Sequence, residues 1–273
     1  MAEVGCLKDG YFQNLQVEGG TIFRGNFDTT LVKSKFDLGA NVAIGFSSDG
    51  TTGDTGVAGE SHQWVFRCGN TLEVVALGDG QTLMGPVLAA TGLNVSGDQT
   101  NNDGVVFRGR SSLAMGKLNK DYFTVGTSPA FYAKIKFSVQ DVSGFDDLRF
   151  GFVKVEAFNA DPDALDEAAC IGWIAQGNPA TVGTHTILNG ASTVTTNLTA
   201  PSSGEWADTA SHSFTVFVSA TGAVTYKYDD EAPTGAIAFS FDDTEVVTPY
   251  FFARHFADVG GTLIWEELEF GLQ

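Results

Sequence analysis

Glu267 and Glu269, in the closing segment TLIWEELEF, are the carboxylates whose spacing most resembles chemistry. Residues two apart on a strand share a face, and two carboxylates about 5–5.5 Å apart can cleave a glycosidic bond with retention. Trp265 falls on the same face by this alternation. The pair lies on a terminal strand, so it reads as a polar outer face, and no catalytic residue is assigned. Four acidic groups could offer oxygen ligands to Ca2+: Asp141 with Asp146 and Asp147; Asp161 with Asp163 and Asp166; Asp229 with Asp230 and Glu231; Asp242 with Asp243. None has EF-hand spacing, and aspartate is a common turn residue because it bonds locally to backbone. His62, His185, His212 and His255 form no HxH, HxxxH or HExxH pattern, so neither a metal nor a cofactor is expected. No GxSxG elbow, Walker loop or GxGxxG before a helix occurs. Among the tryptophans, Trp173 in ACIGWIA reads as core. Trp206 in SGEWADTA reads as a loop residue and is the candidate for carbohydrate contact.

Charge narrows the partners. The chain has 33 acidic and 15 basic residues, a formal net charge of -18. Such a surface repels phosphate backbones and anionic membranes, which argues against a nucleic-acid partner. No apolar run reaches the roughly 18 residues that a spanning helix needs, so no membrane insertion is expected. The start, MAEVGCLKDG, lacks the basic and apolar regions of a secretory signal. Cys6, Cys68 and Cys170 are far apart and odd in number, and read as free thiols made in a reducing compartment.

The elements that must carry these residues are strands. In His212–Asp230, Phe214, Val216 and Val218 alternate with Thr215 and Ser219. After Ala220-Thr221-Gly222, Val224, Tyr226 and Tyr228 alternate with Thr225 and Lys227. Period-two patterning on both sides of a Gly-containing turn is a hairpin signal. AFYAKIKFSV places Phe131, Ala133, Ile135, Phe137 and Val139 on one face. LRFGFVKVEAF, residues 148–158, separates Leu148, Phe150 and Phe152 from Arg149, Gly151 and Val153. Gly69-Asn70 and Asn189-Gly190 mark further hairpins. Many short strands without crossover helices give an all-β fold: an antiparallel two-sheet sandwich, most simply a jelly roll.

Three regions follow. Residues 101–273 form the sandwich, and residues 41–100 a small β-rich linker region. Residues 1–40 form an extended arm whose short, Gly-separated strands cannot bury enough surface alone. Tyr11, Phe12, Leu15, Ile22, Phe23 and Phe27 would be costly to leave in water, so the arm is expected to dock on a protein through them, by strand addition.

The order of parts after about residue 100 resembles a concanavalin A-like (laminin G-like) jelly roll: AFYAKIKFSV, then LRFGFVKVEAF, then a strand opening at His212, Thr221-Gly222, Asp229-Asp230, VTPYFFARHF and LIWEELEF. The E-x-D-x-x-E motif of jelly-roll glucanases is absent. GYFQNLQVEGGTIFRG and LAATGLNVSGDQTNNDGVVF resemble segments of virion structural proteins of tailed phages, particularly marine ones. That resemblance implies a non-enzymatic capsid decoration or cement protein, made in the host cytoplasm and docked on a capsid or tail protein. Self-association, with a trimer as the expected form, would add avidity. The alternative is a tail, fibre or adsorption protein whose jelly roll binds host-surface carbohydrate; a glycan hydrolase is a third reading.

Overall fold

The computed structural model describes residues 94–95, 104–108, 122–145, 147–173, 181–255 and 262–273 with their side chains, and the remaining strands named below by backbone alone. In chain order the strands are β1 (Leu7–Lys8), β2 (Tyr11–Phe12), β3 (Asn14–Val17), β4 (Gly20–Phe23), β5 (Gly45–Ser47), β6 (Ser61–Val65), β7 (Thr71–Leu77), β8 (Val87–Ala89), β9 (Gly92–Asn94) and β10 (Gly104–Gly109). They continue as β11 (Phe123–Thr124), β12 (Phe131–Val139), β13 (Phe145–Lys154), β14 (Ala168–Trp173), β15 (Val182–Ile187), β16 (Val194–Asn197), β17 (Ser211–Val218), β18 (Ala223–Tyr228), β19 (Phe239–Ser240), β20 (Val246–His255) and β21 (Leu263–Leu272).

Two antiparallel sheets face each other, as the alternation requires. The first, sheet A, runs β19-β18-β17-β12-β21-β4-β3, with β9 also pairing on β21. The second, sheet C, runs β16-β15-β14-β13-β20-β10-β7-β6-β5, with β11 on β20. Strand β12 shows why the sandwich forms. Its five alternate residues from Phe131 to Val139 are fully buried, while Tyr132, Lys134, Lys136 and Ser138 are half-exposed. Between the sheets the rings stack and cross: Phe123 lies flat on Phe131 at 4.4 Å, and Phe107 meets Trp265 at 4.4 Å. Ring pairs of this kind add to the area they bury. The β17–β18 hairpin closes at Gly222, whose φ of 91° a side chain would resist. A Cβ there would also sit 2.4 Å from the Phe241 carbonyl oxygen.

The outer face of sheet C is covered too. Val106, Val153, Leu165, Ala168, Cys170, Ile187, Tyr250 and Phe252 form a second buried cluster, with Phe158 packed against it. The segment between β13 and β14 supplies Phe158 and Leu165 to it. That is why β14 and β15 are buried along their whole length rather than at every second residue. The alternation expected for LRFGFVKVEAF holds in direction, but the strand ends at Lys154, and both its faces are covered.

Two expectations need correcting. Trp206 is not an exposed loop residue. It is 4% exposed and inserts between the sheets against Phe137, Trp173 and Phe214. The loop is pinned beside it by Thr209 N–H to the Val139 carbonyl (2.7 Å) and Val142 N–H to Asp208 (2.9 Å). Burying a large ring outweighs the polar composition around it. Nor does Trp265 share a face with Glu267. The β12–β21 register jumps from Lys136↔Glu267 to Phe137↔Trp265. The extra residue, Glu266, makes a β-bulge that turns Trp265 into the core and leaves Glu267 and Glu269 facing out.

In the first hundred residues, β3 and β4 pair with each other, and Phe23 of β4 pairs with Phe270 of β21. Strands β5, β6 and β7 continue sheet C from β10. The docking residues Tyr11, Phe12, Leu15, Ile22 and Phe23 lie on β2, β3 and β4, but their side chains, and all of Phe27, lie outside the described residues.

Candidate functional site

The outer face of sheet A is set by register. Strand β12 pairs Tyr132 with Phe217 and Lys134 with Thr215 on β17. Strand β17 in turn pairs Phe217 with Thr225 and Thr215 with Lys227 on β18. Gly271 and Glu269 of β21 stand on the other side, opposite Tyr132 and Lys134. One row across the face is therefore Gly271, Tyr132, Phe217, Thr225. The next is Glu269, Lys134, Thr215, Lys227. Same-face neighbours on paired strands are close enough to act together.

Tyr132 and Phe217 are both half-exposed, with ring centroids 6.1 Å apart and planes tilted by 32°. The Tyr132 hydroxyl donates to Glu269, and the Lys227 ammonium lies 5.6 Å from the Phe217 centroid. Lys134 pairs with Asp230 at 2.9 Å, and Lys136 with Glu266 at 2.8 Å. The Glu266 hydrogen bond raises the pKa of the Lys136 ammonium against the lowering effect of its partial burial. Between the long side chains, Thr215 and Ser213 form a low floor. Aromatic surface, hydroxyls and both signs of charge thus share one solvent-facing sheet. This suits a ligand with an apolar ring face and several hydroxyls.

The outer face of sheet C gathers reactive residue types instead. Arg149, 5% exposed, binds Asp147 through Nε and Nη2 (2.9 and 2.7 Å) and Asp163 through Nη1 (2.9 Å). Burial opposes its charge, but the two carboxylates outweigh burial and raise its pKa. Asp163 is lowered despite its own burial, by Arg149 and by the Thr193 hydroxyl at 2.7 Å. Cys170 and His185 stand directly opposite each other on β14 and β15. Burial pushes the Cys170 thiol up to about 12. Burial, then the Arg149 charge, pushes His185 down to about 3. His185 also bonds the Trp173 carbonyl through Nε2 at 3.2 Å. A thiol and a neutral imidazole cannot form the ion pair that activates a cysteine nucleophile. Burial thus holds this pair in its neutral forms.

His212 has a similar outcome. It contacts Asp229 at 2.6 Å and packs on Trp206. Ser203 donates to Asp229, not to His212, so these residues are in the wrong order for a serine nucleophile. His255 stacks on Phe145 at 4.4 Å, and the side chain of His62 lies outside the described residues. The aspartates do turn work: Asp141 accepts from Ser143 N–H, and Asp161 from Asp163 N–H, each at 3.0 Å. The Asp146 side chain lies outside the described residues. Among the described residues, no three His, Cys, Asp or Glu side chains are set to hold a metal ion.

Of the residues singled out in sequence, the structure sets Glu267 and Glu269 beside the aromatic face and removes Trp206 from it. Tyr132 and Phe217 were missed as a site. Their outward positions follow from the alternation of AFYAKIKFSV and HSFTVFV, but their meeting depends on a pairing across 85 positions, between residues 132 and 217, that no local pattern reveals.

No family model matches the chain, and no curated protein matches it. Among solved structures it is similar to the carbohydrate recognition domain of Emp46p in its potassium-bound form, at 7% identity and a TM-score of 0.47, over 72% of this chain and 87% of that one. It is similar to the exoplasmic/lumenal domain of VIP36 in its Ca2+/Man3GlcNAc-bound form, at 8% and 0.46, over 74% and 83%. It is also similar to the binding domain of botulinum neurotoxin serotype C1, at 11% and 0.42, over 85% of this chain and 48% of that one. None of these likenesses is close enough to carry a function across, and none lends support to a virion role.

Proposed function

We propose that this protein is a non-catalytic glycan-binding module, and that a saccharide lies on the outer face of sheet A against Tyr132 and Phe217. The observation that carries the reading is the half-exposed pair of rings, 6.1 Å apart, bordered by Lys134, Thr225, Lys227 and Glu269. The apolar face of a pyranose covers aromatic carbon, while its hydroxyls meet donors and acceptors at the rim. The carboxylates on this face serve binding rather than hydrolysis. Glu269 is held by the Tyr132 hydroxyl, and Glu267 stands opposite Lys136. A phage particle, whose capsid- or tail-associated proteins the first hundred residues resemble, would be one setting for such a module, there serving adsorption to the host.

The test is a glycan array with the labelled protein, followed by calorimetry on the hits. Phe217→Ala and Tyr132→Ala are each expected to weaken binding about tenfold or more, the scale of one well-packed aromatic contact. Absence of binding to every glycan, or affinity unchanged in both variants, overturns the reading.

A further inference from the structure

We propose that the saccharide bound on sheet A is an acidic one, and that Lys227 is the residue that selects its carboxylate. This rests on the glycan reading above and names the ligand class. Charges on the face are almost all accounted for within the chain. Asp230 has Lys134, Glu266 has Lys136, and Glu269 has the Tyr132 hydroxyl. Asp229 receives His212, Ser203 and Ser213. Lys227 is different: among the described residues no carboxylate lies within ion-pair distance of its ammonium. It is half-buried and rests on the Phe217 ring, in a chain where acidic residues outnumber basic ones 33 to 15.

An ammonium kept on an aromatic face is held in position and partly stripped of water, which strengthens a charge-assisted hydrogen bond to an incoming anion. The remaining acidic surface does not forbid this. At physiological salt, charges more than about 8 Å away are largely screened. Carboxylate on Lys227, ring against Tyr132 and Phe217, and hydroxyls toward Thr225 form one continuous arrangement. A sialic acid and a uronic acid both present a carboxylate on a pyranose ring, at different ring carbons.

Calorimetry should compare sialyllactose with lactose, and glucuronate-terminated with glucose-terminated oligosaccharides. Each pair should be run at about 50 mM and about 500 mM NaCl, on either side of the screening regime. The wild type should favour one acidic member about tenfold over its neutral counterpart, with the preference shrinking at high salt; which acid wins identifies the source. Lys227→Gln should bring the acidic ligand down to the affinity of its neutral counterpart in the same variant, and keep the melting temperature. Lys227→Arg should retain the preference. If neutral glycans bind as well as acidic ones, the acidic class is wrong; if Lys227→Gln keeps the preference, Lys227 does not select the carboxylate; in both cases the glycan reading survives. If no saccharide of either kind binds, both are wrong.

Discussion

The two outer faces of the sandwich handle charge in opposite ways. On sheet C, Arg149 is sealed between Asp147 and Asp163, and an apolar cluster covers the strands beside it. On sheet A, the lysines and carboxylates stand half in water, next to two rings. The first face contains the residue types of chemistry: cysteine, histidine, arginine and aspartate. The second carries lysines, carboxylates and hydroxyls beside the two rings. Burial drives Cys170 and His185 to their neutral forms, whereas the side chains of the sheet A face keep their contact with water. Residue type proposes a site, and solvent access decides whether it can work.

The most severe way to break this contrast is to remove the sealed cation. Arg149→Ala leaves Asp147 buried without its partner, and should cost about 3–5 kcal/mol in urea unfolding. A cost under about 1 kcal/mol would place Arg149 with the ordinary surface charges and erase the distinction.

Two carboxylates sharpen it through pH, with opposite signs. Glu167 is fully buried just ahead of β14, and its pKa is raised by burial and by Glu245. Its folded form therefore holds the proton more tightly than the unfolded chain does. That contribution to stability is complete below the unfolded value and is lost as pH rises through the raised folded value. Glu167→Gln should raise the melting temperature at pH 7 by about 2–4 °C and flatten the profile on the acidic side. Asp229 behaves in reverse. Burial opposes its charge, but bonds from Ser203, Ser213 and His212 lower its pKa. Its stabilisation is present above the unfolded value and disappears as pH falls through the folded one. Asp229→Asn should thus destabilise the protein at pH 7 and cost progressively less in acid. Equal costs at both pH values would show that the hydrogen bonds, not the charge, matter there.

The smallest effect belongs to the open face. Lys134→Ala, which deletes the exposed pair with Asp230, should change stability by less than about 1 kcal/mol. A larger loss would mean that sheet A is as closed to solvent as sheet C.

Much of the sandwich was legible in the sequence because period-two alternation is a direct image of one buried face. Strands β12 and β18 follow it residue by residue, and β17 keeps its apolar face although Ser213 and Thr215 on the other side are buried as well. What escaped has physical reasons. The bulge at Glu266 shifts the phase of β21 midway, so alternation drawn back from Glu267 puts Trp265 on the wrong side. SGEWADTA has a turn composition, and only the three-dimensional gap between Phe137 and Phe214 turns Trp206 inward. The cover over sheet C was not legible either, since Phe158 and Leu165 belong to a segment without periodicity. The aromatic pair on sheet A needed the register of β12 against β17, which is a tertiary fact.

The strand order also bears on when the molecule can assemble. Strand β21 lies between β12 and the β4 and β9 strands, and β20 lies between β13 and β10. Each sheet is therefore joined at its middle by a strand that is made after the strands on either side of it. Earlier strands can form local hairpins, such as β6–β7 or β17–β18, but β10 and β13 have no shared neighbour until β20 is made. Pairings this distant in sequence carry a high loop-closure cost and form slowly. Until then, the margins of both half-sheets stay open to other chains. A nascent chain stalled before β20 should therefore be bound by chaperones or lost to aggregation, whereas synthesis of β20 and β21 lets both sheets close together.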